Sequence, residues 1–204
     1  MNSLFKVTRN SNMLRYCLII GLVPCFLACG VSPKTQLYVL NSEAAVFNNT
    51  DGISIGLWKV KLPELLDRSE IVTRNGQYEV ELADFHHWAG SLGHNIDASI
   101  AQGLSQHLKT INVRISPWHS EKQNNYQVKV LIERFGGSLM GAARISGRWV
   151  LMNGKGNQQL SRQSFLLEAP MSSENYNGLV ASLSILTGQL SQLIAEDIER
   201  LSQR

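Results

Sequence analysis

Residues Tyr126 to Leu167 read YQVKVLIERFGGSLMGAARISGRWVLMNGKGNQQLSRQSFLL, and their reading decides the fold. Tyr126–Phe135, Ala142–Met152 and Gln158–Leu167 are three strand-like runs. They are separated by Gly136 to Gly141 and by Asn153 to Asn157 (NGKGN). Short apolar runs divided by Gly- and Asn-rich turns predict an antiparallel meander.

Working outward, Val113 to Ile115 reads as a further strand, stopped by Pro117. Upstream of it, Asn95-Ile-Asp-Ala has the composition of a helix start, with Asn95 as cap and Asp97 in the first turn. Ile100, Leu104 and Leu108 then recur at four-residue spacing and give one buried stripe. Ile71–Arg74 and Tyr78–Leu82 flank Asn75-Gly76, a dipeptide that accepts positive φ at both positions and so predicts a hairpin. Ile53 to Leu62 (ISIGLWKVKL) alternates apolar and polar residues as one strand ended by Pro63. A first apolar stretch, Leu37 to Leu40, is followed by a polar loop, Asn41 to Gly52.

The chain closes on a long amphipathic helix, roughly Tyr176 to Leu201. Leu179, Leu183, Leu186, Leu190, Leu193 and Asp197 share its stripe, and Glu196 and Arg200 stand at i,i+4 spacing for a charge pair. The stripe spans barely three heptads, which suits a helix covering a sheet better than a coiled coil. These elements predict one α/β domain over residues 37–204, a mixed and mainly antiparallel sheet flanked by helices. No repeat or linker marks a second domain.

The N-terminus has a different character. Lys6, Arg9 and Arg15 precede an apolar run from Tyr16 to Ala28 with no acid before it. A basic lead and a short apolar core ending in a small residue predict a signal peptide over residues 1–28. The run falls short of the roughly 20 apolar residues a membrane span needs. All three cysteines, Cys17, Cys25 and Cys29, lie in this region, so cleavage would leave Cys29 alone. A single cysteine in an exported chain calls for an explanation as a reactive thiol, an intermolecular bridge or a modified residue. Phe26-Leu27-Ala28-Cys29 resembles a bacterial lipobox, which makes Cys29 the expected site of lipidation and residues 29–36 a short tether. Gly30 to Gln36 reach about 25 Å when extended, so the domain would sit close to its membrane.

Charge and motifs exclude several functions. Of 19 basic residues, Lys6, Arg9 and Arg15 belong to the signal, which leaves 16 against 16 acidic ones. No basic excess remains to attract nucleic acid. The histidines His86, His87, His94, His107 and His119 form no HExxH or other metal-ligating pattern. There is no G-x-S-x-G elbow, and Gly136 to Gly141 lacks the Gly-Lys-Ser/Thr ending of a phosphate-cradling loop. Trp58, Trp88, Trp118 and Trp149 are spread through different elements and read as packing residues. No catalytic residue, metal site or cofactor is expected. Asp67 and Arg68, in LPELLDRSEIVTR (residues 62–74), have no nucleophile or second carboxylate nearby in sequence. Their expected role is structural or interfacial, with Asp67 capping backbone N–H groups and Arg68 forking onto a carboxylate.

LPELLDRSEIVTR, followed by ELADFHHWAGSL and SPW and preceded by a lipobox cysteine, resembles the ABC-type transport auxiliary lipoprotein family. Leu62, Pro63, Leu66, Asp67, Arg68, Ile71, Val72, Ala83, Trp88, Ala89 and Leu92 carry the likeness, while Leu65 stands where the family usually has tyrosine. The resemblance implies a fold similar to the TolB N-terminal or anticodon-binding domain. It implies a lipid anchor on the periplasmic face of the outer membrane and no catalysis. As partners it implies an MCE-domain conduit protein with its inner-membrane transport component, in an MCE/Pqi-type system moving lipid between membranes, and a ring-like homo-oligomer. Leu62, Pro63, Leu66, Asp67, Arg68 and Trp88 are the expected partner or assembly residues. The rival expectations are a periplasmic lipoprotein enzyme such as a hydrolase, and a cell-envelope assembly factor.

Overall fold

The central strand β6 (Tyr126–Gly137) organises a sheet that branches along one of its edges. The computed structural model describes residues 33–41, 52–76, 78–118 and 124–203. The signal, Cys29 and residues 30–32 of the tether therefore lie outside the described residues, as does most of the loop between Asn41 and Gly52. Thr35–Arg204 form one compact unit.

On one edge of β6 the expected meander is present. β6 pairs antiparallel with β7 (Ala142–Asn153), from Tyr126 opposite Asn153 to Gly137 opposite Ala143. β7 pairs in the same way with β8 (Gln159–Pro170). The other edge of β6 is shared. β2 (Ile55–Leu57) runs parallel to its start and β3 (Glu70–Asn75) meets its end at Thr73 and Gly137. β5 (Val113–Ile115) lies parallel outside β2. Outside β3 come β4 (Glu79–Trp88), antiparallel, and β1 (Gln36–Tyr38), parallel to β4. The β3–β4 hairpin turns through Gly76 at φ +74°, as Asn75-Gly76 predicted. The result is an open, mixed sheet of eight strands with two α-helices, α1 (Leu92–His107) and α2 (Tyr176–Ser202).

Alternation along the strands sorts the two faces. Val128, Val130 and Ile132 of β6, with Ala143, Ile145, Trp149 and Leu151 of β7, are buried. They join Ile96, Ile100 and Leu104 of α1 and Leu179, Leu183, Leu186, Leu190 and Ile194 of α2 in one core. Each valine, leucine or isoleucine among them contributes on the order of 1.5–3 kcal/mol by leaving water. Lys129, Arg144 and Arg148 alternate with them and are exposed, so this part of the opposite face is open to solvent. The helices approach closely at Gly103, where a Cβ would lie 2.5 Å from the Ser191 side chain. α2 is long and apolar enough to cross a membrane by composition alone, but its stripe is spent on the sheet and α1.

Three expectations need correction. α1 begins at Leu92, with the Ser91 hydroxyl accepting from the His94 N–H, so Asn95 is not its cap. Asn95 lies buried in the first turns, donating to the Ala89 and Ser91 carbonyls and accepting from Leu40 N–H. The strand expected over Ile53–Leu62 is regular only for Ile55–Leu57. Beyond it Val60 N–H turns to Asp97 Oδ1 at 2.8 Å, and a carboxylate replaces the ladder. Arg200 pairs with Asp197 and not with Glu196, because buried Asp197, which also accepts from Trp149 Nε1, needs a compensating charge.

Candidate functional site

The segment after Pro63 is held by its backbone, which leaves its side chains to the surface. Trp58 N–H donates to Val128 O at 2.9 Å and Lys61 N–H to Val130 O at 3.0 Å, so the chain follows β6 without being a regular strand. Pro63, at φ −60°, suits the entry to a single 3-10 turn, Glu64–Leu66. Leu66 N–H donates to Pro63 O, Asp67 N–H to Glu64 O and Arg68 N–H to Leu66 O, which closes the turn. At its far end Trp88 N–H donates to Ser69 O at 2.7 Å and fixes the segment against β4.

The six residues expected at a partner surface separate into two groups. Leu66 and Trp88 are core residues, Trp88 lying edge-on to Phe135 with ring centres 6.3 Å apart. They position the turn from beneath. Leu62 and Pro63 are half-buried, Leu62 over the start of α1 at Gly93. Asp67 is exposed and Arg68 half-buried. Neither expected contact forms: among the described residues no carboxylate lies within ion-pair distance of Arg68, and Asp67 makes no side-chain cap. The Arg68 Nε is buried without a hydrogen-bond partner. The Arg68 charge reaches Glu70, whose carboxyl is held below the usual range chiefly by its own backbone N–H, then by the Ser69 hydroxyl, with Arg68 adding to them.

Around this turn lies a ledge that sequence reading missed. Leu65 is 39% exposed, and Val80 and Leu82 of β4 are 37% and 41% exposed. With Pro63, Val72 and Phe135 the ledge borders a cleft of about 50 Å³ rimmed by Arg74 and Arg134. The alternation of Val80 and Leu82 was a signal for an apolar face. Nothing in sequence said that the described elements would leave it uncovered.

The described residues gather no catalytic constellation. His86 and His87 diverge, as adjacent strand residues must. His86 stacks on Tyr176 at 3.9 Å and meets the Tyr38 hydroxyl through Nδ1 at 2.8 Å, while His87 Nε2 reaches Asp84 O. Burial, with His87 beside it, holds the His86 imidazole below its ordinary pKa. Among the described residues no three His, Cys, Asp or Glu side chains converge as metal ligands. The tryptophans divide between core (Trp88, Trp149) and a half-open pair, Trp58 edge-on to Trp118 at 5.1 Å.

The sequence model of the ABC-type transport auxiliary lipoprotein component matches residues 38–195. Two solved structures share the fold. One, an uncharacterized protein, superposes with a TM-score of 0.68 at 23% identity over 81% of this chain and 99% of its own. The other, a Xanthomonas campestris protein of family DUF330, gives a TM-score of 0.66 at 15% identity over 83% of this chain and 100% of its own. No curated protein matches the chain.

Proposed function

The chain belongs to the ABC-type transport auxiliary lipoprotein family, and from that premise we propose that it is a non-catalytic, lipid-anchored component of an MCE/Pqi-type system moving lipid between the bacterial membranes. The family match over residues 38–195 carries this reading. The anchor is a diacylglycerol thioether on Cys29, at the periplasmic face of the outer membrane. More than one acyl chain gives stable attachment where a single chain gives only marginal binding. A tether of about 25 Å keeps the domain near that membrane, so reaching across the periplasm requires a partner. That partner is an MCE-domain conduit joined to an inner-membrane transport component, and the domain docks to it, or to further copies of itself in a ring, through the surface beside Pro63. Arg68 and the ledge at Leu65 make the contact, while Leu66 and Trp88 hold the turn in place. The supporting geometry is an apolar ledge beside an arginine that has no ion pair within the described chain. The system as a whole supports envelope integrity.

Radiolabelled palmitate with membrane fractionation tests the anchor. Wild type takes up label and enters the outer-membrane fraction, whereas Cys29→Ser takes up none and accumulates as precursor. An unlabelled wild type, or Cys29→Ser protein in the outer membrane, contradicts the reading.

A further inference from the structure

On the open face of the sheet, where β2 leaves β6, lies a pocket of about 550 Å³ lined by Trp58, Lys59, Lys61, Lys129, Leu131 and Val150, with Arg148 at its rim. Its size falls in the range of small-ligand sites, roughly 300–1,000 Å³. Its lining combines two chemistries. Leu131, Val150 and the Trp58 ring are apolar, and Trp58 is fixed by donating from Nε1 to Gln127 Oε1 at 2.9 Å. The remaining side chains are cationic. The Lys129 ammonium stands 5.3 Å from the Trp58 ring centre, an attraction that holds a cation beside the indole. Lys59 and Lys61 are exposed and form no ion pair among the described residues, although Lys59 lies close enough to Asp97 to favour its charged form. Arg148 is engaged by Glu133 at 2.8 Å, and no acidic side chain lines the pocket itself.

Lys59, Lys61 and Lys129 bring three positive charges to the lining of one concavity, and no acidic side chain among the lining residues offsets them. Packing does not call for them, since all three are exposed. The fixed indole beside them offers cover to an apolar group.

We propose that this pocket binds a phosphate group carrying an apolar chain, with Lys59, Lys61 and Lys129 around the phosphate and Trp58, Leu131 and Val150 along the chain. Lysines suit a phosphate as mobile point charges. The same chemistry belongs to an anionic phospholipid headgroup and to a soluble alkyl phosphate. Reading the ligand as transported cargo rests on the function proposed above; the site itself does not.

The test is a titration of the full-length protein in a neutral detergent, following the emission of Trp58, taken as the difference between wild type and Trp58→Phe. The probes are dihexanoyl phosphatidylglycerol, dihexanoyl phosphatidylcholine, hexyl phosphate and inorganic phosphate. The expected result is saturable binding of phosphatidylglycerol at least tenfold tighter than phosphatidylcholine or inorganic phosphate, weakening with added salt. The Lys59→Gln/Lys61→Gln/Lys129→Gln variant should lose at least tenfold in affinity, and Lys129→Gln alone should lose part of it if the triple variant does not fold. Hexyl phosphate matching phosphatidylglycerol also supports the site and assigns it to a soluble ester. Equal binding of phosphatidylcholine, inorganic phosphate as tight as the chain-bearing probes, or unchanged affinity in the lysine variants overturns it. The titration needs no partner, so its failure removes this site and leaves the transport role standing, while loss of partner cross-linking does the reverse.

Discussion

The two edges of β6 contrast in a way that separates scaffold from surface. Toward β7 and β8 the ladder is continuous apart from one bulge in each pair, and backbone donors meet backbone acceptors almost throughout. Toward β2 and β3 the pairing is three residues, one bridge at Lys61 and one residue at Thr73. There scattered bonds to β6 are supplemented by a buried carboxylate, which takes the Val60 N–H, and by a 3-10 turn. Within β6–β8 the ladder is closed and backed by α2, and its unpaired backbone groups lie only along the outer edge of β8, which no other described strand pairs. The irregular edge gathers the exposed ledge and the unpartnered Arg68 Nε, and the lysine pocket extends from it across the face of β6 and β7.

Damage to the scaffold should therefore have the largest effect on stability. Leu183 is fully buried where α2 meets the sheet. Leu183→Ala should cost about 2–5 kcal/mol, read by chemical denaturation, and should lower every other property through unfolding alone. A cost below about 1 kcal/mol would break the distinction between the edges.

Next in size is Asp97, the residue that replaces the ladder at Val60. Burial pushes its carboxyl above the ordinary aspartate range, against the opposing pull of the Val60 amide, His94 and Lys59. Asp97→Ala strands the Val60 N–H and should cost about 1–3 kcal/mol, while Asp97→Asn keeps an acceptor and should recover most of it. The pH dependence has a definite sign. A carboxyl whose folded pKa is raised adds stability while protonated, below the unfolded pKa, and that contribution is lost as pH rises through the folded pKa. The melting temperature of Asp97→Asn should thus gain on wild type from about pH 4 upward. A constant difference across that range would contradict the assignment.

Much of the scaffold was legible in sequence and the irregular edge was not, for one physical reason. Strand periodicity and turn residues are local, so β6 to β8, the Asn75-Gly76 hairpin and the limits of α2 follow from neighbouring residues. Parallel pairing of β2 with β5 and of β1 with β4 is set by distant segments and leaves no local mark. Asp97 looked like a first-turn helix residue because its partner, Val60, lies 37 positions away. The Leu62–Arg68 turn was recognisable through Pro63 and the family likeness. The exposure of Val80 and Leu82 could be seen only once the fold left them uncovered.

The smallest effect on stability should come from Arg68, whose side chain makes no ion pair among the described residues. Arg68→Ala should shift unfolding by less than about 1 kcal/mol, because the half-buried side chain gives up some packing while a buried Nε without a hydrogen-bond partner is removed. It should nevertheless reduce pull-down of a co-expressed conduit protein or of a second copy. Normal association with normal stability would remove Arg68 from the interface.

The contrast can be tested on two exposed leucines, Leu65 on the ledge and Leu166 on β8, 39% and 69% exposed. A photo-reactive amino acid is placed at each in the full-length protein in cells, and light-dependent adducts are identified by mass. The account predicts a discrete adduct from Leu65, to a conduit protein or to a second copy of the chain, and none from Leu166 despite its greater exposure. An adduct from Leu166 with none from Leu65 would place the docking surface on the scaffold edge and contradict it.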